Sequence, residues 1–253
     1  MTVAKDTIKK YAIRLGDDAV VLGHRLSEWC SYGPFLEEDL ALTNVALDFI
    51  GRARMFYSYA AELANDGSTE DTYAFARDNR DFTNLLMHEL KNGDFAFTMA
   101  RQYFIDVYSL AYMEALQGSA DETLAAIAAK AVKESRYHLR RSHDWILRLG
   151  DGTQESRERM QRAVDDLWGY VPEMFEMDAL ERELADAGIG VDAEALRDDW
   201  QSSVRATLAE ATLEEPAGDW SVTGGRQGIH TEALGHMLSD MQFVQRAYPG
   251  LTW

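Results

Sequence analysis

The chain has 253 residues, a formal net charge of −18 at pH 7 and a sequence pI of about 4.7. This acidity argues against nucleic acid and anionic membrane surfaces as partners, because both attract basic proteins. A hydrophobic content of 46% excludes a disordered chain, and the single cysteine, Cys30, excludes an internal disulfide and a cysteine-based zinc site. The first ten residues lack the apolar segment of a signal peptide, and no stretch without charged residues exceeds eight positions, so we expect a cytoplasmic protein.

Apolar residues recur along the chain at spacings of three and four, which predicts helices and argues against strands. Glycines and the four prolines mark the breaks between the helical segments. A looser segment is expected between the short helix at 69–77 and Asn92-Gly93. In chain order, the pattern predicts helices over residues 6–31, 36–65, 69–77 (the short one), 94–117, 120–149, 155–186, 192–213 and 230–247.

Local signals define several helix ends. Gly33-Pro34 should end the first helix, and Ser119 with Glu122 forms a predicted capping box. We expect Asp192 as an N-cap and a bend near Pro172 within one long helix. Four of the helices have about 24 residues or more, which predicts an all-α, four-long-helix bundle. We expect a single domain over 1–253, with core helices at about 6–149 and packing helices at about 155–247.

Bundles of this kind often hold two metal ions, which requires Glu-x-x-His pairs on two of the helices. The spacing matters because residues three apart lie one turn apart on the same face. Every histidine of this chain lacks a glutamate three positions earlier: Val21, Leu85, Ser135, Arg140, Gln227 and Ala233 precede His24, His88, His138, His143, His230 and His236. The sequence therefore combines the frame of an oxygen-activating enzyme with the loss of its paired imidazoles.

Polar residues nevertheless recur on the apolar faces of the four long helices. They are Glu28, Asn44, Asp48, Arg52, Asp106, Glu134 and His138. Buried carboxylates without cations are too costly to stay ionised, so we expect Arg52 to replace the charge of a metal in a vestigial polar core. The alternative is a metal ion held by an i, i+4 pair, either Glu134 with His138 or Glu232 with His236.

Two further groups of residues suggest contacts outside a core. A locally basic helix face carries Lys133, Arg136, Arg140 and Arg141, flanked by Lys130 and Arg148. Such a run is usually a solvated face, but it also fits a partner surface for an acidic chain or a phosphate. The segment 224–228, Gly-Gly-Arg-Gln-Gly, precedes a helix and could hold an anion, but it lacks the features of a nucleotide-binding loop.

Several motifs carry a resemblance that covers essentially the whole chain. They include Asn92-Gly-Asp-Phe95, Arg101-Gln-Tyr-Phe-Ile-Asp106 and the longer segments 14–30, 36–54, 129–140 and 224–253. In these segments the sequence resembles the structural C subunits of bacterial phenylacetyl-CoA epoxidases. One departure is Ala233, where we expect a histidine in that family; it affects a candidate surface or partner contact.

The resemblance implies a ferritin-like fold and a function in a multicomponent monooxygenase that epoxidises the ring of phenylacetyl-CoA. It implies that the chain has no catalytic site or cofactor of its own. Di-iron would lie in a homologous catalytic A subunit, and flavin and iron–sulfur groups in a reductase. The expected partners are the A subunit and the other subunits, with a homodimer as a further option. The alternatives are a self-sufficient di-metal oxidase using Glu28, Asp48, Asp106, Glu134 and His138, and an unrelated helical interaction module.

Overall fold

The computed structural model of the chain describes residues 3–218 and 220–251. Within these ranges the regular structure is helical and contains no strand, which confirms the predicted all-α class. The α-helices are α1 (Lys5–Ser27), α2 (Leu36–Ala64), α3 (Glu70–Phe75), α4 (Leu86–Glu89), α5 (Phe95–Leu116), α6 (Glu122–Gly150), α7 (Gln154–Trp168), α8 (Ala179–Asp186), α9 (Arg197–Glu210), α10 (Glu232–Met241) and α11 (Phe243–Ala247). No described helix is both long enough and apolar enough to cross a lipid bilayer.

The chain divides into two compact units. The first comprises residues 1–91 and 224–253, and the second comprises residues 92–223. Helices α1 to α4, α10 and α11 belong to the first unit, and α5 to α9 belong to the second. The expectation of a single domain over 1–253 stays a prediction.

The first unit is built on a hairpin of α1 and α2, whose facing sides bury residues such as Leu22 and Phe49. The connection between the two helices turns at Gly33, as the sequence predicts. A Cβ atom at Gly33 would lie 2.7 Å from the Cα atom of Asp39, so only glycine fits this close approach. The Gly33 amide donates to the Asp39 carboxylate at 3.1 Å, which fixes the turn against the first turn of α2.

The second unit is built around α5, which is buried on all sides from Thr98 to Ser109. A helix that is covered on every face must be central to its core. Helices α6, α7 and α9 pack against it. The indole of Trp200 on α9 donates to the carbonyl of Phe104 at 3.0 Å, and the two rings pack edge to face. Aromatic side chains thus join α9 to the central helix.

The predicted ends of the first helices lie within four residues of the observed ends, but the second half of the chain differs. The single bent helix predicted over 155–186 is wrong. Helix α7 ends at Trp168, a 3₁₀ turn covers Pro172–Phe175, and α8 begins at Ala179 behind its own cap, Asp178. The ring of Pro172 starts the short turn because proline has no amide hydrogen for a continuing helix.

Three other predicted boundaries need correction. The N-cap of α6 is Asp121, because the hydroxyl of Ser119 donates instead to the carbonyl of Ile189 at 2.7 Å. Asp192 accepts a hydrogen bond from Ala195, but α9 itself starts only at Arg197 after a 3₁₀ turn. The predicted last helix is interrupted at Gln242, whose buried amide donates to the carbonyls of Ala74 and Arg77 at 3.0 Å each.

Candidate functional site

Two of the residues that the sequence predicts for a vestigial core are buried in the second unit. Asp106 on α5 and His138 on α6 are each 1% exposed. The amide of Gln102 donates to one Asp106 oxygen at 2.7 Å, and the hydroxyl of Ser142 donates to the other at 2.8 Å. Neutral donors therefore contact both oxygens of this carboxylate. Glu134 lies one turn from His138 at 18% exposure, 3.9 Å from the ammonium of Lys130.

In the first unit, the predicted residues do not all face the core. Arg52 is 2% exposed, and its guanidinium lies over the ring of Phe49 at 4.7 Å. Asp48 is half-buried. The inward positions predicted for Glu28 and Asn44 are wrong, since both are exposed. Glu28 lies just beyond the end of α1 and pairs with Arg25 at 2.6 Å, while Asn44 lies on the outer side of α2.

Three of the four residues predicted for a basic face on α6 are exposed. Lys133, Arg136 and Arg140 are exposed, and Arg136 pairs with Glu114 at 2.9 Å. Arg141 is half-buried, and its guanidinium contacts the sulfur of Met99 at 3.7 Å, so it is less accessible than the other three; its assignment to a partner surface stays a prediction. The reason for the lower accessibility is helical geometry, because position 141 lies on the side of α6 that faces α5.

A buried polar network in the first unit was not predicted from the sequence. Its first part is Asp17 on α1, which is fully buried. The hydroxyl of Tyr57 donates to Asp17 at 2.7 Å, the amide of Thr83 donates at 2.8 Å, and the guanidinium of Arg77 makes an ion pair with the carboxylate. Asp17 thus joins α1, α2 and the segment before α4.

The second part centres on Asp18, the next residue of α1. Arg226 donates through both terminal nitrogens to the Asp18 carboxylate, at 3.0 and 2.9 Å, and His88 lies at 3.3 Å. Burial alone would raise the pKa of Asp18, but the charge of Arg226 and the hydrogen bond to His88 lower it to about 2. Arg226 is therefore engaged with an internal carboxylate, and the anion site considered for segment 224–228 is wrong.

The third part centres on Glu89, which is fully buried at the end of α4. Its carboxylate contacts the ring of His230 at 2.7 Å, and accepts from the amide of Thr231 at 2.6 Å and from the side chain of Asn84 at 2.9 Å. Burial alone would lower the pKa of His230, but the hydrogen bond and the charge of Glu89 outweigh it and raise this pKa. The segment after Gly224 is thereby fixed to the α4 region.

Arg25 completes the network beside Ala233, the position at which the sequence departs from its expected family pattern. The guanidinium of Arg25 donates to the carbonyl of Ala233 at 2.7 Å and to the carbonyl of Glu89 at 2.9 Å. Ala233 is itself buried, so the sequence change lies inside the first unit, not on a partner surface.

These clusters have the chemistry of structural ion pairs. Asp17, Asp18 and Glu89 each accept from a cation, an imidazole or a backbone amide within their own unit. Among residues 3–218 and 220–251, no group of three or more histidine, cysteine, aspartate or glutamate side chains could hold a metal ion. Glu232 and His236, the second predicted i, i+4 pair, do not contribute to a buried site, since Glu232 is exposed on α10. The side chains and the backbone amide that contact these three carboxylates hold separate segments of the first unit together.

Comparison with known proteins gives two findings that agree with this fold. A family model described as phenylacetic acid catabolic protein matches residues 1–253. The chain is also 52% identical over 243 residues, 96% of its length and 98% of the relative, to the C subunit of the 1,2-phenylacetyl-CoA epoxidase of Escherichia coli (strain K12). These matches confirm the predicted resemblance and its ferritin-like helical fold class, and they exclude an unrelated helical module.

Proposed function

Because the chain belongs to the family of phenylacetic acid catabolic proteins, we propose that it is a non-catalytic, structural subunit of a phenylacetyl-CoA epoxidase. In this role it acts in the cytoplasm, in aerobic phenylacetate catabolism, and it binds and stabilises a homologous di-iron catalytic subunit. The observation that carries the proposal is the near full-length match to a relative named as the C subunit of such an epoxidase.

The donor set of the chain supports a structural role, because it does not fit the di-iron centre of a ferritin-like oxygenase. Asp106 accepts from Gln102 and Ser142, and Glu28 lies at the surface beside Arg25. A di-iron site needs several carboxylates and two imidazoles that converge with open oxygens. We therefore assign no step of oxygen chemistry to this chain. In the proposal, di-iron belongs to the catalytic subunit, and flavin and iron–sulfur groups belong to the reductase.

In this proposal, the chain contributes to the complex by binding its other subunits. The buried ion pairs of the first unit fix α1, the α4 region and the segment after Gly224 in one arrangement. A rigid surface loses less conformational entropy when a partner binds, so such pairs favour a stable complex. The basic face of Lys133, Arg136 and Arg140 adds a local positive charge to an acidic chain and suits an acidic region of another subunit.

A self-sufficient di-metal oxidase is the alternative from a different functional class. It would need Glu28, Asp48, Asp106, Glu134 and His138 to converge on metal. The exposure of Glu28 and its pairing with Arg25 count against that arrangement, as do the neutral donors on Asp106. A homodimer without other subunits would fit neither the proposed function nor the strong net negative charge of each copy.

The proposal predicts assembly. We expect that the chain, co-expressed with the candidate catalytic subunit and the remaining epoxidase subunits, is recovered in one complex whose intact mass includes this chain and the catalytic subunit. Omitting the chain should leave the catalytic subunit less soluble and reduce turnover of phenylacetyl-CoA. Intact mass spectrometry and a turnover assay make the measurement. A chain that remains alone in the presence of its candidate partners would contradict the proposal.

A further inference from the structure

An exposed apolar stripe runs along the N-terminal half of α2. Leu36, Leu40, Leu47 and Ile50 are 71%, 55%, 59% and 40% exposed, in a chain whose other leucines are mostly buried. With the half-buried Thr43, these residues follow one another at spacings of four, three, four and three. That alternation is the seam of a coiled coil, where each turn presents one side chain to a neighbouring helix.

We propose that this seam, defined as Leu36, Leu40, Thr43, Leu47 and Ile50, is the docking site for an apolar-faced α-helix of another subunit of the complex. The inference rests on the proposed function and specifies the surface through which the chain would assemble. The heptad spacing identifies the partner element as a helix packed nearly parallel or antiparallel to α2, because side chains at this spacing interdigitate at a crossing angle of about 20°.

The extent of the apolar surface agrees with a protein interface. Tyr32 and Phe35, in the connection before α2, are 78% and 63% exposed and continue the apolar surface beyond the end of the seam. Together with the four exposed seam residues they present on the order of 600 Å², taking roughly 170 Å² for each large side chain. That area is near the upper limit for a patch on a monomer and approaches the ~800 Å² that one partner buries in a standard interface.

The flank of the seam indicates what the partner carries. Glu37 and Asn44 occupy the positions beside the seam residues and are exposed, and a Cβ atom at Gly51 would meet no other atom within 4 Å. This flank is open and polar, with one carboxylate at Glu37, so it accommodates a helix with basic or polar residues at its own flanking positions. A second copy would bring another charge of −18 to the interface, which favours a different polypeptide as the occupant.

The test replaces Leu40 and Leu47 with glutamate (L40E/L47E) in the full chain and measures assembly with the co-expressed subunits. Since both side chains are more than half exposed, the isolated variant should keep the helix content and melting temperature of the wild type. Burying two carboxylates against an apolar helix should weaken the complex by about thirty-fold or more, the size of a hot-spot loss. The matched control is Phe243→Glu, because Phe243 is 64% exposed but lies on α11, outside the seam; it should assemble normally.

A photo-crosslinking amino acid at position 47 identifies the occupant directly, and capture of another subunit is the expected result. Capture of a second copy of the chain, or normal assembly of L40E/L47E, would overturn the seam proposal and leave the proposed function intact. A wild-type chain that fails to assemble with any other subunit would overturn the proposed function and this occupant together. The two failures are therefore distinguishable in one experiment.

Discussion

Replacing Asp17 with alanine is expected to lower the free energy of unfolding by about 3–5 kcal/mol, because it removes one partner of a buried ion pair and leaves the other unpaired. Asp17 is fully buried, and its carboxylate accepts from Tyr57 at 2.7 Å and from the amide of Thr83 at 2.8 Å while pairing with Arg77. The change would leave the Arg77 guanidinium beside two aromatic rings with its main counter-charge removed.

Chemical denaturation of the isolated chain, followed by circular dichroism, gives the measurement. Asp17→Asn should be milder, because the amide keeps the shape and can accept one of the hydrogen bonds. Asp6→Ala is the surface control on the same helix: Asp6 pairs with the exposed or half-buried Lys9 and Lys10, so its loss should change stability far less. Equal effects of Asp17→Ala and Asp6→Ala would contradict a structural role for the network.

Replacing Arg52 with alanine should also lower stability strongly, by about 3–5 kcal/mol if the guanidinium balances buried acids. Arg52 is 2% exposed and lies 4.7 Å from the centre of the Phe49 ring. The hypothesis is that a cation replaces a metal charge within each unit, Arg52 for Asp48 in the first unit and His138 for Glu134 in the second. Epoxidase turnover should then fall only as far as the complex is lost. Glu134→Gln should be milder, because it removes a charge that needs balancing and keeps the side-chain shape.

Thermal unfolding of the isolated variants, combined with turnover of the reconstituted complex, separates the two readings of Arg52. A parallel fall in melting temperature and assembled fraction is the expected result. If Arg52→Ala kept the wild-type melting temperature and abolished turnover in an intact complex, the polar residues would serve substrate binding or chemistry, and the structural interpretation would be wrong at that position.

Local signals in the sequence were sufficient to predict the long helices and to show that Glu-x-x-His pairs for a di-metal site are missing. The end of α2 is an example: Asn65 has a positive φ of 49° and stops the helix where Asn65-Asp66-Gly67 predicts. Histidine spacing likewise excludes Glu-x-x-His pairs without any structure. Both signals are local, because helix caps and i, i+3 pairs depend on residues within one or two turns.

The network around Asp17, Asp18 and Glu89 could not be predicted in the same way. Asp18 pairs with Arg226, 208 residues away, and Glu89 contacts His230, 141 residues away. Helical periodicity places an aspartate on a face but does not identify its partner when that partner lies at the other end of the chain. The prediction for Glu28 failed for a different reason. Its spacing from His24 fits a continuous helix, but α1 ends at Ser27.

The seam on α2 lies between these cases. Its four-three alternation is visible in the sequence, but a heptad pattern alone does not distinguish a stripe that faces the core from one that faces solvent. The exposed fractions of Leu36, Leu40 and Leu47 make that distinction. Periodicity predicts that a helix face is apolar, and only the fold indicates whether that face is already covered.

The metal content of the purified chain tests the central claim most directly. The chain should be expressed alone in iron-supplemented medium and, in parallel, within the complex, and iron, manganese and zinc should be counted per chain by elemental analysis. We expect no stoichiometric metal in the isolated chain, and iron in the complex in proportion to the catalytic subunit. About two metal ions per isolated chain, the content of a di-metal site, would contradict the non-catalytic role and favour the self-sufficient oxidase.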